Sequence, residues 1–205
     1  CGSEPVTVTA VSAAVSDGAD GIDTETIVPL TFSGKTSVTI PAGEWVQSDA
    51  VRFPVKRGET IAVSLYFAGF TEMRSGVVIT GPLSGGYFAV GDQTEEAVLG
   101  MDTSKKTHTV YFLSDIDVLT DEGNRTLICY GDSITAQAWP DELMLRTLEN
   151  GDGTTAVIRK AASGTRILRR YDNITYDSYG LKGETRFPRE IQVSGAYAVL
   201  IQHGI

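Results

Sequence analysis

Residues 126–135 read Thr-Leu-Ile-Cys-Tyr-Gly-Asp-Ser-Ile-Thr, an apolar run that passes directly into Gly131-Asp132-Ser133-Ile134. A strand ending in a tight glycine turn can hold a serine hydroxyl rigidly at the carboxyl edge of a sheet. Open α/β sheets place their ligands at that edge. The chemistry open to such a residue is nucleophilic attack on an ester carbonyl, with a base to take the hydroxyl proton. A given Gly-Asp-Ser-Ile tetrapeptide turns up by chance on the order of once in several hundred chains of this length. Its setting is therefore part of the argument. The Gly-x-Ser-x-Gly nucleophile elbow does not fit, because position 135 is Thr. The alternative, in which Asp132 and Ser133 are ordinary turn residues that begin a helix, stays open.

The surrounding elements must position this serine. Leu127, Ile128 and Cys129 form a short apolar run of the kind a buried parallel strand shows. Trp139-Pro140-Asp141-Glu142-Leu143-Met144-Leu145 predicts a helix that ends at Asn150-Gly151, with proline and acids in its first turn and glycine as its stop. Thr155–Ile158 and Ala196–Gln202 are two further strand candidates, with a loop and a helix between them. Strands that alternate with helices imply a parallel sheet.

The chain changes character near residue 121. Before it, period-two patterns dominate: Val6 and Val8; Val38 and Ile40; Val51, Phe53 and Val55; Ile61, Val63, Leu65 and Phe67; Val110 and Phe112. Pro41-Ala42-Gly43 and Lys56-Arg57-Gly58 punctuate them as turns. Such strands suggest a β-sandwich or jelly roll. The expected organisation is a β-sandwich domain over residues 1–121, a linker over 120–125 and an α/β domain over 125–205. The first strand pattern starts close to Cys1 and the last runs to Ile205, so the chain reads as part of a larger protein.

Composition narrows the function classes. With 41% hydrophobic and 21% charged residues, the chain can bury a core. No run approaches the about 18 apolar residues of a membrane helix. The net charge is −9 and there is no basic stripe, so nucleic acid is not an expected partner. The tight basic cluster Arg166, Arg169 and Arg170 fits a solvated helix face. His108 and His203 are the only histidines and lie near no Cys or carboxylate pair at ligand spacing, so no zinc or copper site is expected. The run Asp17-Gly18-Ala19-Asp20-Gly21-Ile22-Asp23 lacks the calcium-loop pattern and reads as a polar hairpin loop. Cys129 reads as a small apolar filler.

Gly131-Asp132-Ser133-Ile134 resembles the first signature block of the SGNH, or GDSL-type, esterases and lipases. Ala162-Ser163-Gly164-Thr165-Arg166 resembles their second block, and Gln202-His203-Gly204-Ile205 the start of their third. The N-terminal half, through phrases such as Pro29-Leu30-Thr31-Phe32 and Ser37-Val38-Thr39-Ile40-Pro41-Ala42-Gly43, is similar to the β-sandwich of a two-domain bacterial branch. The resemblance implies a jelly-roll-like β-sandwich followed by the first part of a flavodoxin-like α/β/α hydrolase domain. It implies Ser133 as nucleophile, with the N–H groups of Ser133 and Gly164 facing the oxyanion and no cofactor. Asp132 and Gly204 belong to the same blocks as supporting residues. Arg166 is either a brace for the second-block loop or an exposed arginine at a helix start. The chain departs from the pattern at Ala161 and Ala162, where a glycine is usual, and at Thr165, commonly Asn. The family's oxyanion Asn and its base His with an Asp three residues earlier have no counterparts in residues 1–205. Neither His108 nor His203 matches that base, so residues 1–205 alone are expected to be nearly inactive.

Two other function classes remain beside a serine esterase acting on carboxylic esters, an acetylated carbohydrate among them. One is a non-catalytic β-sandwich module binding a glycan or protein, with Trp45, Tyr66, Tyr87 and Phe88 as candidate surface aromatics, although strand aromatics are more often core. The other is a degenerate hydrolase scaffold. Localisation leans to secreted or cell-surface bacterial. Cys1-Gly2-Ser3 could start a lipid-anchored protein, but an internal cut fits better. Asn124-Arg125-Thr126 and Asn173-Ile174-Thr175 match the glycosylation sequon. Acyl length, alcohol identity and oligomeric state are not legible.

Overall fold

A computed structural model describes residues 4–71, 76–99, 105–168 and 181–204. Cys1-Gly2-Ser3, Arg169, Arg170, Asn173-Ile174-Thr175 and Ile205 lie outside the described residues. The chain is β-rich, with several sheets and, among the described residues, two α-helices. In chain order the strands begin with β1 (Val6–Val8), β2 (Ala10–Gly18), β3 (Gly21–Ile22), β4 (Val28–Pro29), β5 (Val38–Ile40) and β6 (Ile61–Tyr66). There follow β7 (Val77–Val78), β8 (Gly86–Phe88), β9 (Lys105–Thr107) and β10 (Thr109–Val110). The last part holds β11 (Arg125–Gly131), α1 (Trp139–Glu149), β12 (Thr155–Ala161), α2 (Gly183–Glu190) and β13 (Ala196–Gln202). Two compact units result: Cys1–Gly76 with Gly86–Thr107, and Val77–Gly85 with His108–Ile205.

The first unit is antiparallel. β2 is its centre and pairs with β6 from Ala10 opposite Tyr66 to Val15 opposite Ile61. It also pairs with β3 and β4. Its Val11, Ser12, Ala13 and Ala14 are all buried, so both of its faces are covered. The Ser12 hydroxyl, which would otherwise be a lone buried donor, bonds the Thr94 carbonyl. β1 pairs with β5, and Val8 is buried while Thr7 and Thr39 meet hydroxyl to hydroxyl on the outer face at 2.9 Å. β8 pairs with β9. The run 17–23 forms the expected hairpin, in which Ala19-Asp20 is the loop joining β2 to β3. Pro41-Ala42-Gly43-Glu44 and Lys56-Arg57-Gly58-Glu59 are turns closed by i to i+3 bonds of 3.1 and 3.0 Å, with Gly43 and Gly58 at φ +75° and +82°.

Two strand expectations are corrected. Residues 51–55 form no strand: Pro54 has no N–H to give a ladder and interrupts the alternation of Val51, Phe53 and Val55. Val110 closes β10, and Phe112 leaves the extended region at φ +62°, so the two do not share a strand face. Among the four aromatics, Trp45 (70% exposed) and Phe88 (55%) face solvent, and Tyr66 and Tyr87 are half-buried, so none belongs to the core.

The second unit is built on a parallel sheet in the order β12-β11-β13. Ile128, Cys129 and Tyr130 on the central strand are buried. Burial in an apolar strand pushes the Cys129 thiol up to about 11, with Arg159 opposing, so it remains a neutral packing group. Pro140 opens α1, Asp141 and Glu142 occupy its first turn, and Gly151 at φ +72° follows its end. Among the described residues β13 is an edge strand of this sheet, and its Tyr197, Leu200 and Ile201 are about half exposed.

The unit boundary differs from a cut near residue 121. Residues 77–85 and 108–121 belong with the second unit. β7 pairs with β10, the Thr80 N–H reaches the Ala136 carbonyl at 3.0 Å, and the Leu83 N–H reaches Asp141 Oδ2 at 3.0 Å. Asp141 also forms a buried ion pair with Arg159. Gly81 makes this possible, because a Cβ there would collide with the Asp141 carboxylate. Burial pulls the Arg159 guanidinium below its ordinary value and Asp141 opposes the shift.

Gly131 ends β11 where three strands are in register, opposite Ala161 on one side and Gln202 on the other. A Cβ at 131 would collide with the Gln202 carbonyl and the Thr135 hydroxyl. Gly131→Ala is expected to cost about 3 kcal/mol or more, because neither obstacle is the free end of a flexible chain. Gly153→Ala, where a Cβ meets nothing within 4 Å, should stay within about 0.5 kcal/mol of wild type. Urea denaturation midpoints of the two variants check this.

Candidate functional site

The register Ala161–Gly131–Gln202 fixes where the three sequence blocks emerge. Ser133 comes two residues after Gly131, Gly164 three after Ala161, and Gly204 two after Gln202. All three therefore leave the same carboxyl edge of the sheet. This is the position where an α/β sheet presents its ligand-binding loops.

The turn after β11 is held from within. Asp132 is not the N-cap of α1. That place belongs to Ala138, and the helix starts six residues beyond Ser133. Instead Asp132 Oδ1 accepts the Ile134 N–H at 2.9 Å and the Asp132 carbonyl accepts the Ala136 N–H at 3.0 Å. Thr135 is fully buried beneath the turn and donates to the Gln202 carbonyl at 2.9 Å. Ser133 points outward: it is exposed, and among the described residues nothing bonds its hydroxyl. Its own N–H has no intramolecular acceptor among the described residues either.

The second block forms a turn over Ala162-Ser163-Gly164-Thr165. The Thr165 N–H and Oγ1 both bond the Ala162 carbonyl, at 3.4 and 2.7 Å. Gly164 stands third in this turn at φ +75°. That conformation is one a side chain resists, which is why glycine occupies it. The Gly164 N–H, like that of Ser133, is not taken by an acceptor among the described residues. The Ala162 N–H donates to the Gly131 carbonyl at 3.1 Å, so this turn is tied directly to the end of β11. Arg166 is half-buried and its carbonyl accepts the Gly183 N–H at 2.8 Å, which places its backbone at the start of α2.

The third block is joined to the first by a carboxylate. The Gly204 N–H donates to Asp132 Oδ2 at 2.8 Å, and a Cβ at 204 would stand 3.3 Å from that oxygen. The side chain of His203 is completely buried. Its Nδ1 lies 3.1 Å from the Gly204 carbonyl, an acceptor only, which assigns the ring proton to Nδ1. Nε2 then faces Thr165 Oγ1 at 3.3 Å and Arg186 Nη2 at 3.5 Å. The ring is buried against internal partners while the Ser133 hydroxyl is exposed, and no hydrogen bond joins the two among the described residues. His108 offers its carbonyl to the Ile79 N–H and lies in the second unit, not with the antiparallel strands of the first.

Arg186 is the residue that sequence reasoning missed. It sits on α2, 8% exposed, with its guanidinium over the Tyr130 ring at 5.0 Å. Tyr130 in turn donates its hydroxyl to the Gly183 carbonyl at 2.6 Å and stacks edge-on with Phe187 at 5.2 Å, which seats the first turns of α2 against β11. In sequence, Arg186 and Glu190 look like an ordinary i,i+4 surface pair. The one available signal was the unusually polar composition of the helix that had to cover the sheet.

Among the described residues no cluster of His, Cys, Asp and Glu could hold a metal ion. No helix among them is long and apolar enough to cross a membrane. An open apolar groove lined by Ile134, Trp139, Leu200, Ile201 and Gln202 adjoins the turn that carries Ser133. Compared with known proteins, the chain matches no protein-family model and no curated protein.

The Asp132 carboxylate bridges two loops with two backbone N–H bonds, each to a charged acceptor. Asp132→Ala is expected to cost about 1–3 kcal/mol and to speed exchange of the Gly204 and Ile134 amides. The Cys129 amide, deep in β11, should remain protected. Amide hydrogen exchange followed by NMR reads all three.

Proposed function

We propose that the chain carries the nucleophile of a carboxylic-ester hydrolase of the SGNH type, with Ser133 as that nucleophile. The observation that supports this reading is the common emergence of all three blocks beyond the row Ala161, Gly131 and Gln202. On this reading the second unit is the first part of a flavodoxin-like hydrolase domain, and the first unit is its β-sandwich companion.

The reaction runs through an acyl-serine. Ser133 Oγ forms a bond to the ester carbonyl carbon while its proton passes to a general base. The carbonyl oxygen takes up the negative charge and meets the N–H groups of Ser133 and Gly164. Two such donors preorganised toward that oxygen contribute on the order of several kcal/mol to the transition state. Collapse expels the alcohol with its proton, and water then frees the acid by the same route. No base is assigned among the described residues: the His203 ring is buried against internal partners. The substrate class we favour is an acylated carbohydrate, by analogy with two-domain esterases of this type.

A second reading takes the first unit as a binding module for a glycan or protein, and the solvent-facing Trp45 and Phe88 favour it. It is compatible with a working or a degenerate hydrolase unit.

The full gene product containing this chain, treated with a fluorophosphonate, should gain one adduct by intact mass, and Ser133→Ala should abolish it. Absence of an adduct on the full gene product would overturn the esterase reading and leave the scaffold or binding reading.

A further inference from the structure

We propose that Arg186 is a positioning residue that sets the three loops of the Ser133 site relative to one another; this rests on the reading of Ser133 as nucleophile. Its Nη2 bonds the Gly131 carbonyl at 3.1 Å and Thr165 Oγ1 at 3.3 Å, and lies 3.5 Å from His203 Nε2. One nitrogen therefore touches the residue before Asp132-Ser133, the residue after Gly164, and the residue before Gly204. These are the three segments that carry the nucleophile, the second oxyanion donor and the loop bonded to Asp132.

The rest of the guanidinium is fixed in place. Nε donates to the Leu181 carbonyl at 3.2 Å and Nη1 pairs with Glu190 at 2.6 Å. The Tyr130 ring supports the plane from one side. A buried guanidinium with all three nitrogens committed has one available orientation. It therefore transmits the position of α2 to the loops with little play. Lysine would keep the charge but offers a point donor on a flexible stem, and could not hold the helix and the loops at once. The guanidinium also lies beside His203 Nε2, next to the 203–204 backbone that the Gly204 N–H ties to Asp132. Misplacing reactive groups by about 1 Å costs up to about a hundredfold in rate.

The test uses the full gene product and compares R186K with T155V. Thr155 is buried at the amino end of β12, opposite Arg125 and away from the three loops, and its hydroxyl accepts from Arg125 Nε at 3.1 Å. The fluorophosphonate labelling rate at Ser133 is resolved into its maximal rate and its half-saturating concentration. R186K should lower the maximal rate by about tenfold or more with the half-saturating concentration nearly unchanged. It should also speed amide exchange at Thr165 and Gly204. T155V should lower thermal stability but leave the labelling rate within about twofold. Should R186K fail to fold, T165V removes one of the three loop contacts and should slow labelling at least about threefold with the fold kept. Wild-type labelling in R186K, or equal slowing in T155V, would overturn the proposal. If wild-type Ser133 itself does not label, the nucleophile reading fails separately. Exchange at Thr165 and Gly204 then decides the positioning claim: faster in R186K alone upholds it, unchanged overturns it.

Discussion

The second unit depends on a close approach that only glycine permits. At Gly131 the Cα of the central strand lies against the Gln202 carbonyl and the Thr135 hydroxyl. That contact lets β11 turn sharply while β13 continues beside it, and it brings the buried Thr135 under the turn. Once the turn is fixed, the Gly131 carbonyl receives both the Ala162 N–H and Arg186 Nη2. One residue thus meets all three loops and the helix that covers them.

Charge completes what close packing begins. Asp132 and Arg186 both join loops that leave this edge of the sheet. The carboxylate gathers N–H groups from its own turn and from Gly204, and the guanidinium gathers acceptors from β11, the second-block turn and His203. Their effect is to pair the polar groups of the loops with one another while the N–H groups of Ser133 and Gly164 meet no acceptor among the described residues. Buried charged groups with a full set of partners favour one arrangement over near alternatives. Asp141 holds residues 77–85 onto the second unit and pairs with the buried Arg159, whose Nε and Nη1 have no hydrogen-bond partner among the described residues.

Much of the second unit was legible because its signals are local. Pro140, Asp141 and Gly151 mark α1 at both ends, and Ala196–Gln202 is a strand with the bounds its apolar run implies. The first unit was less legible. β2 is its longest strand, yet Ala10, Ser12, Ala13 and Ala14 are too small and too uniform to alternate. A central strand covered on both faces loses the period-two pattern. At 51–55 the pattern was present, but Pro54 denied it a ladder. For the site, Ser133, Asp132, Gly164 and Gly204 could be named from their blocks. The roles of Arg186, Thr135 and Thr165 could not be read, because the contacts that tie them to other segments, Arg186 to Gly131, Thr135 to Gln202 and Thr165 to Arg186, span 55, 67 and 21 residues and no local pattern encodes such distances. The attachment of 77–85 escaped for the same reason: it depends on a carboxylate at 141 that reads in sequence as a helix-dipole acid.

The central claim is that the row through Gly131 aims Ser133 and Gly164 at one oxyanion. The most direct measurement is a crystal structure of the full gene product bearing a phosphonate on Ser133. The account predicts one phosphonyl oxygen within hydrogen-bond distance, about 2.7–3.1 Å, of both the Ser133 and Gly164 nitrogens. A phosphonyl oxygen turned to solvent, with the Gly164 N–H bonded elsewhere, would contradict it.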